Sequence, residues 1–138
     1  MSLEASLDAL QRIVENSAFL RPFGLEVRAC AAGECTLVLP HAAWLERPGG
    51  VLSGISLMAV ADVAMWLAIM TRRGTEENWV TTDMKTAFLS GARAVDVSCV
   101  ARVLKLGKRT AYGTAECHGA DGTLLTHHVL SYALTVPA

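Results

Sequence analysis

The sequence predicts an α+β domain in which a curved antiparallel sheet wraps around one long central helix, with a second helix near the N-terminus. Three observations predict it. Val51–Met70 is a run of twenty residues carrying a single charge, Asp62, and it has helix start and stop signals at its ends. Four strand-length segments follow it in series, and two shorter ones precede it. A run of antiparallel strands must bury one face, and one long apolar helix is the cover this chain offers.

The elements read in order as follows. Leu3, Leu7, Leu10 and Val14 recur at helical spacing behind Ser2 as a cap, so residues 2–17 are expected to form an amphipathic helix, which Pro22 closes off. Leu25–Ala31 and Cys35–Pro40 read as a hairpin turning at Gly33, and His41–Gly50 as a loop punctuated by Pro48-Gly49-Gly50. Ser53 is placed to cap the long helix. Thr71-Arg72-Arg73-Gly74 gives that helix a basic last turn and a terminating glycine. The later strands are expected at Trp79–Leu89, Val95–Leu106, Arg109–His118 and Leu124–Val136, with Gly91, Gly107 and Asp121-Gly122 at the turns. Alternation is clearest where Val95, Val97, Cys99, Ala101 and Val103 oppose Asp96, Ser98, Val100 and Arg102.

With 138 residues and no repeat or linker, residues 1–138 form one domain. Hydrophobic residues make up 52% of the chain and charged residues 18%, which is apolar for so short a soluble protein. The long helix is apolar around its circumference, more than one sheet can cover. Both facts imply a homo-oligomer, a dimer or a dimer of dimers. A net charge of −1 gives no electrostatic basis for binding nucleic acid. The four cysteines contain no C-x-x-C pair and read as buried thiols of a reducing compartment. No basic segment followed by an apolar one opens the sequence, so a cytoplasmic location is expected. A membrane span at Val51–Met70 is disfavoured, because a mid-span carboxylate costs roughly 2.5–3.5 kcal/mol on insertion.

Chemistry concentrates on Gly54 and Asp62. Gly54 sits at the helix start, where backbone N–H groups lack partners and the helix dipole favours negative charge, so its N–H suits an oxyanion. Asp62 is the one ionisable group in the apolar helix and suits a nucleophile or a general base. They lie about 12 Å apart along the helix axis, too far to serve one carbonyl within one chain. A two-fold dimer with paired helices would unite them. A Ser53, Asp62 and His127 or His128 triad finds no G-x-S-x-G elbow to support it. His41, His118, His127 and His128 have no metal-ligand spacing, so no metal and no bound cofactor are expected.

The segment Pro48-Gly49-Gly50-Val51-Leu52-Ser53-Gly54, followed by Leu57 and Ala61-Asp62-Val63-Ala64, resembles the active-site helix of hotdog-fold acyl-CoA thioesterases of the phenylacetate-pathway type. The family motif is roughly G-x-x-H-G-G with an acidic residue nine positions after the histidine. Gly50 and Gly54 match glycines, Asp62 matches the carboxylate, and Ser53 stands where the family has its histidine. Val80-Thr81-Thr82-Asp83-Met84-Lys85 with Phe88-Leu89 resembles the next family strand, with Thr81 at its assisting Ser or Thr. Leu104-Lys105-Leu106-Gly107-Lys108-Arg109 resembles the family's basic hairpin. The resemblance implies a hotdog fold and hydrolysis of an acyl- or aryl-CoA thioester at a subunit interface. Asp62, Gly54 and Thr81 would be catalytic, Lys105, Lys108 and Arg109 would meet coenzyme A phosphates, and Trp66, Met58 and Phe88 would line an acyl pocket. Arg47, where the family often has Asn or Gln, would hold an acidic acyl group or a coenzyme phosphate, or simply face solvent. Hotdog hydratases place a histidine soon after the aspartate; Val63, Ala64, Met65 and Trp66 follow here, which disfavours dehydration. The alternatives are a non-catalytic binding module for acyl-CoA or an acyl carrier, and a purely structural protein.

Overall fold

A computed structural model describes residues 2–135. Its first helix, α1 (Leu7–Asn16), starts later than the spacing of its leucines suggests. The cap is Ser6, whose hydroxyl accepts from the Ala9 N–H at 3.1 Å, and not Ser2. The reason is tertiary: the Glu4 N–H donates to the Thr71 carbonyl at 2.8 Å, so residues ahead of Ser6 are tied to the end of the long helix. Leu10 and Val14 carry the buried face of α1.

Strands β1 (Glu26–Ala31) and β2 (Glu34–Leu39) form the expected hairpin, with Gly33 at φ 79° in the turn. The expected loop instead holds a 3₁₀ turn at Ala43–Leu45 and a two-residue ladder, β3 (Glu46–Arg47) with β4 (Val51–Leu52). The long helix α2 (Gly54–Arg73) begins at a Ser53 cap and ends at Gly74, φ 80°, as expected. Strands β5 (Trp79–Phe88), β6 (Val97–Leu106), β7 (Thr110–His118) and β8 (Leu124–Leu134) complete the chain. Leu25, Pro40, Leu89, Val95, Asp96, Arg109 and Thr135 fall just outside their expected strands, and Val136 lies outside the described residues.

All pairings are antiparallel, in the order β1-β2-β6-β7-β8-β5. This curved sheet wraps α2, which is the hotdog fold. Helix α2 is long and apolar enough to cross a membrane by composition, yet it is mostly buried beneath the sheet. From Ser56 to Thr71 every residue of α2 is buried except Met58, Ala59, Asp62 and Trp66. With Ile55, which is 80% exposed, those four make one helical stripe that the sheet leaves uncovered.

Strand β5 is an edge strand and carries a bulge. Its register steps from Thr81↔Tyr132 to Asp83↔Ser131, leaving Thr82 as the extra residue. The bulge switches the alternation phase. Trp79 and Thr81 face the helix before it, and Met84, Thr86 and Phe88 face it afterwards.

Candidate active site

Asp62 projects from the uncovered stripe of α2 towards the edge of the sheet. Two hydroxyls meet it there. Thr81 donates from Oγ1 to Asp62 Oδ1 at 2.6 Å, and the Tyr132 hydroxyl reaches the same Oδ1 at 2.6 Å and the Asp62 backbone carbonyl at 2.7 Å. Tyr132 is 3% exposed. Burial, and then the Asp62 charge, push its phenol above the ordinary tyrosine value, so it remains a donor. The three residues open into a cleft of about 320 Å³ whose other walls include Phe19, Val63, Trp66 and Trp79. Those walls are aromatic or apolar, a lining that accepts an apolar group and leaves Asp62 Oδ2 as the free polar atom.

Gly54 occupies a different recess, of about 280 Å³, walled by Val51, Leu52, Leu57 and Phe88. It is the first residue of α2, and among the described residues its N–H has no hydrogen-bond partner. A Cβ at this position would stand 2.6 Å from Phe88 Cε1, so only glycine lets the ring lie against the helix start. No residue lines both recesses. Within one chain the two halves of the expected site are therefore apart.

The remaining sequence candidates are placed as follows. Ser53 caps α2, accepting from the Ser56 N–H at 3.2 Å and pairing with Ser56 Oγ, so its hydroxyl is engaged in the cap. Trp66 lines the Asp62 cleft, while Phe88, 60% exposed, covers Gly54; they do not share one pocket. Met58 lies on the uncovered stripe. Arg47 is exposed on β3 and lines neither recess. Lys105 lines a third recess, of about 370 Å³, with Thr82, Tyr112, Ser131 and Tyr132. Lys108 and Arg109 are exposed at the β6–β7 turn. Among the described residues no cluster of metal-ligating side chains forms. His128 is fully buried with both ring nitrogens occupied, Nδ1 by Thr86 Oγ1 at 2.8 Å and Nε2 by Thr126 Oγ1 at 2.7 Å, so it has no free nitrogen for a triad.

Tyr132 was not singled out by the sequence. One signal was available: Thr126, His128, Leu130 and Tyr132 share one phase of β8, and polar groups in the phase that faces a core need partners there.

The model of the thioesterase superfamily matches residues 49–126, which include Gly54, Asp62 and Thr81. A conserved protein of Pseudomonas aeruginosa is 31% identical, with a TM-score of 0.83 over 90% of this chain and 98% of its own. A thioesterase candidate of Silicibacter is 28% identical, with a TM-score of 0.88 over 99% of this chain and 96% of its own. An esterase candidate of Thermoplasma acidophilum is 27% identical over 89% of this chain and 92% of that protein.

Proposed function

The chain belongs to the thioesterase superfamily, and from that premise we propose that it hydrolyses an acyl- or aryl-CoA thioester to the free acid and coenzyme A at sites shared between two protomers. Hydrolysis of a thioester or ester is the superfamily's chemistry, and the Thermoplasma relative is described as an esterase candidate. The phenylacetate-pathway branch is the one its motif resembles.

The observation that carries the reading is the separation of two half-sites on one helix. Among the described residues Asp62 Oδ2, beside an apolar cleft, and the Gly54 N–H, at a helix start in another recess, have no hydrogen-bond partner. The stripe of Ile55, Met58, Ala59 and Trp66 between and beside them is apolar and uncovered, which is what a second α2 would bury. A two-fold partner laid on that stripe brings its Gly54 towards Asp62. The thioester carbonyl oxygen then points at the partner's N–H, its acyl group enters the cleft beside Trp66, and Asp62 attacks or activates water. Exposed Lys105, Lys108 and Arg109 are available to coenzyme A phosphates, as is Arg47 at the Gly50 loop.

The test is a panel of acyl- and aryl-CoAs assayed for thiol release by wild type, Asp62→Asn and Ile55→Glu, with sedimentation of each. Wild type should turn over at least one thioester as a dimer or larger. Asp62→Asn should lose roughly a hundredfold or more while keeping its assembly state. Ile55→Glu should give folded, inactive monomers. Full activity in Asp62→Asn would refute the mechanism; tight acyl-CoA binding without turnover in wild type would make the protein a binding module instead.

A further inference from the structure

We infer that Tyr132 is a positioning residue for this reaction: with Thr81 it ties up Asp62 Oδ1 and leaves Oδ2 as the reacting oxygen. The inference rests on the reading of Asp62 given above, and it concerns a residue outside the segment, 49–126, that the family model matches.

Two neutral hydroxyls converge on one oxygen. Thr81 Oγ1 and Tyr132 OH both lie 2.6 Å from Oδ1, while Oδ2 has no partner among the described residues. No buried side-chain oxygen or nitrogen lacks a partner there, so Oδ2 is open to the cleft and not an orphan in the core. The clamp is built into the sheet. Thr81 and Tyr132 are direct cross-strand partners and so share the helix side, and the bulge at Thr82 returns β5 to that side from Met84 onwards. Tyr132 also reaches the Asp62 backbone carbonyl at 2.7 Å, so the phenol is registered against the helix turn as well as the side chain. A carboxylate free to rotate would spread its charge over two orientations. One held at Oδ1 offers a single lone-pair direction to the substrate.

The chemistry then runs through Oδ2. As base, Oδ2 takes a proton from water while the water oxygen bonds to the carbonyl carbon; the C–S bond then breaks and the thiolate takes up that proton. As nucleophile, Oδ2 itself bonds to the carbonyl carbon, the thiolate leaves, and water splits the resulting anhydride to acid and Asp62. In both cases Oδ1 keeps the same two hydrogen bonds while Oδ2 reacts.

The titratable group facing Asp62 is Tyr132 from β8. Thr81, Val80 and Trp79 from β5, Phe19 from the segment after α1, and Val63 and Trp66 from α2 carry no charge. Removing one donor leaves the carboxylate freer to turn, so the loss falls on turnover and not on substrate binding. For Tyr132→Phe, kcat should fall roughly ten- to a hundredfold, the loss of one hydrogen bond to a charged group, with KM changed less than about twofold. A role in packing alone would lower Tm and leave kcat in place. In an Asp62→Asn background, Tyr132→Phe should cause no further loss. Thr81→Val and Thr81→Ser test the same clamp from the exposed strand: the valine should lower kcat roughly tenfold with KM little changed, and the serine should restore it.

The outcomes separate. Wild-type activity in Asp62→Asn overturns the reading of Asp62 itself. An inactive Asp62→Asn beside a Tyr132→Phe with unchanged kcat overturns the clamp alone. A Thr81→Val that leaves kcat in place overturns it too, even if Tyr132→Phe does not fold.

Discussion

Replacing Gly54 by proline and by alanine separates its N–H from its lack of a side chain. Both residues add a Cβ that would stand 2.6 Å from Phe88 Cε1, and both must push that ring aside. The ring is 60% exposed and can swing outwards, so the cost is small and common to the pair. Proline differs by deleting the N–H. Gly54 is the first residue of α2, the helix position where proline is best tolerated, because the N–H there has no intrahelical partner. Ser53, at φ −66° and ψ 142°, already has the extended conformation that a following proline demands. Both variants should therefore fold, within about 1 kcal/mol and a few degrees of wild type in Tm. Proline should be the less active by roughly a hundred- to a thousandfold, the usual effect of one oxyanion donor, or about 2.7–4 kcal/mol. Mixing gives the second half of the assay. Asp62→Asn and Gly54→Pro chains, each inactive alone, should recover about a quarter of wild-type activity after co-refolding, since half of random dimers are mixed and each mixed dimer has one intact site of two. Equal activities of the alanine and proline variants would refute the N–H as oxyanion donor. Failure of the mixture to recover would refute the shared site.

Three further outcomes follow from the fold. Gly113→Ala should cost roughly 3 kcal/mol and about 10 °C in Tm, because its Cβ would collide with the Arg102 carbonyl and stand 2.6 Å from Met65 Cε; an unchanged melting curve would contradict that close approach. Ser6→Ala should destabilise by about 1 kcal/mol through loss of the α1 cap while Ser2→Ala changes nothing measurable, as read by chemical denaturation. Glu77 is held below the ordinary glutamate value, chiefly by its hydrogen bond from Arg73 at 2.8 Å. A depressed carboxylate stabilises above its unfolded value and loses that contribution as pH falls. Glu77→Gln should then be a few tenths of a kcal/mol less stable at neutral pH, given the solvent access of the pair, and indistinguishable from wild type by about pH 3.

Local patterns carried most of the fold. The alternation through Val97, Cys99 and Ala101, the Ser53 cap and the Gly74 stop each report a short-range rule, and the structure obeys them. What misled was contact at a distance. Leu3 fits the helical phase of α1, yet the Glu4 N–H is taken by Thr71 across the chain, so the helix begins only after the Ser6 cap. Gly54 and Asp62 were legible because one helix carries both at a fixed rise. Tyr132 was not, because its meeting with Asp62 depends on strand order and register, which no local pattern encodes. The bulge at Thr82 is a middle case. Trp79 and Thr81 keep one phase, while Met84, Thr86 and Phe88 keep the other, and that switch is visible in the sequence once an extra residue is allowed between them.

That extra residue bears on both half-sites. Ahead of the bulge, β5 sets Trp79 and Thr81 beside Asp62; beyond it, the same strand sets Phe88 against Gly54. One edge strand thus walls the carboxylate at one end and the helix start at the other. With β8 on its inner side, β5 has its outer edge free. A two-fold axis beside that edge would run the partner's β5 antiparallel to it, laying the Thr81 end of one strand against the Phe88 end of the other. On the proposed dimer the same operation would set the two uncovered stripes of α2 face to face and close both sites at once. Without the bulge, only one of Thr81 and Phe88 could face the helix, and a symmetric pair of sites would lack either its carboxylate clamp or its cover over Gly54.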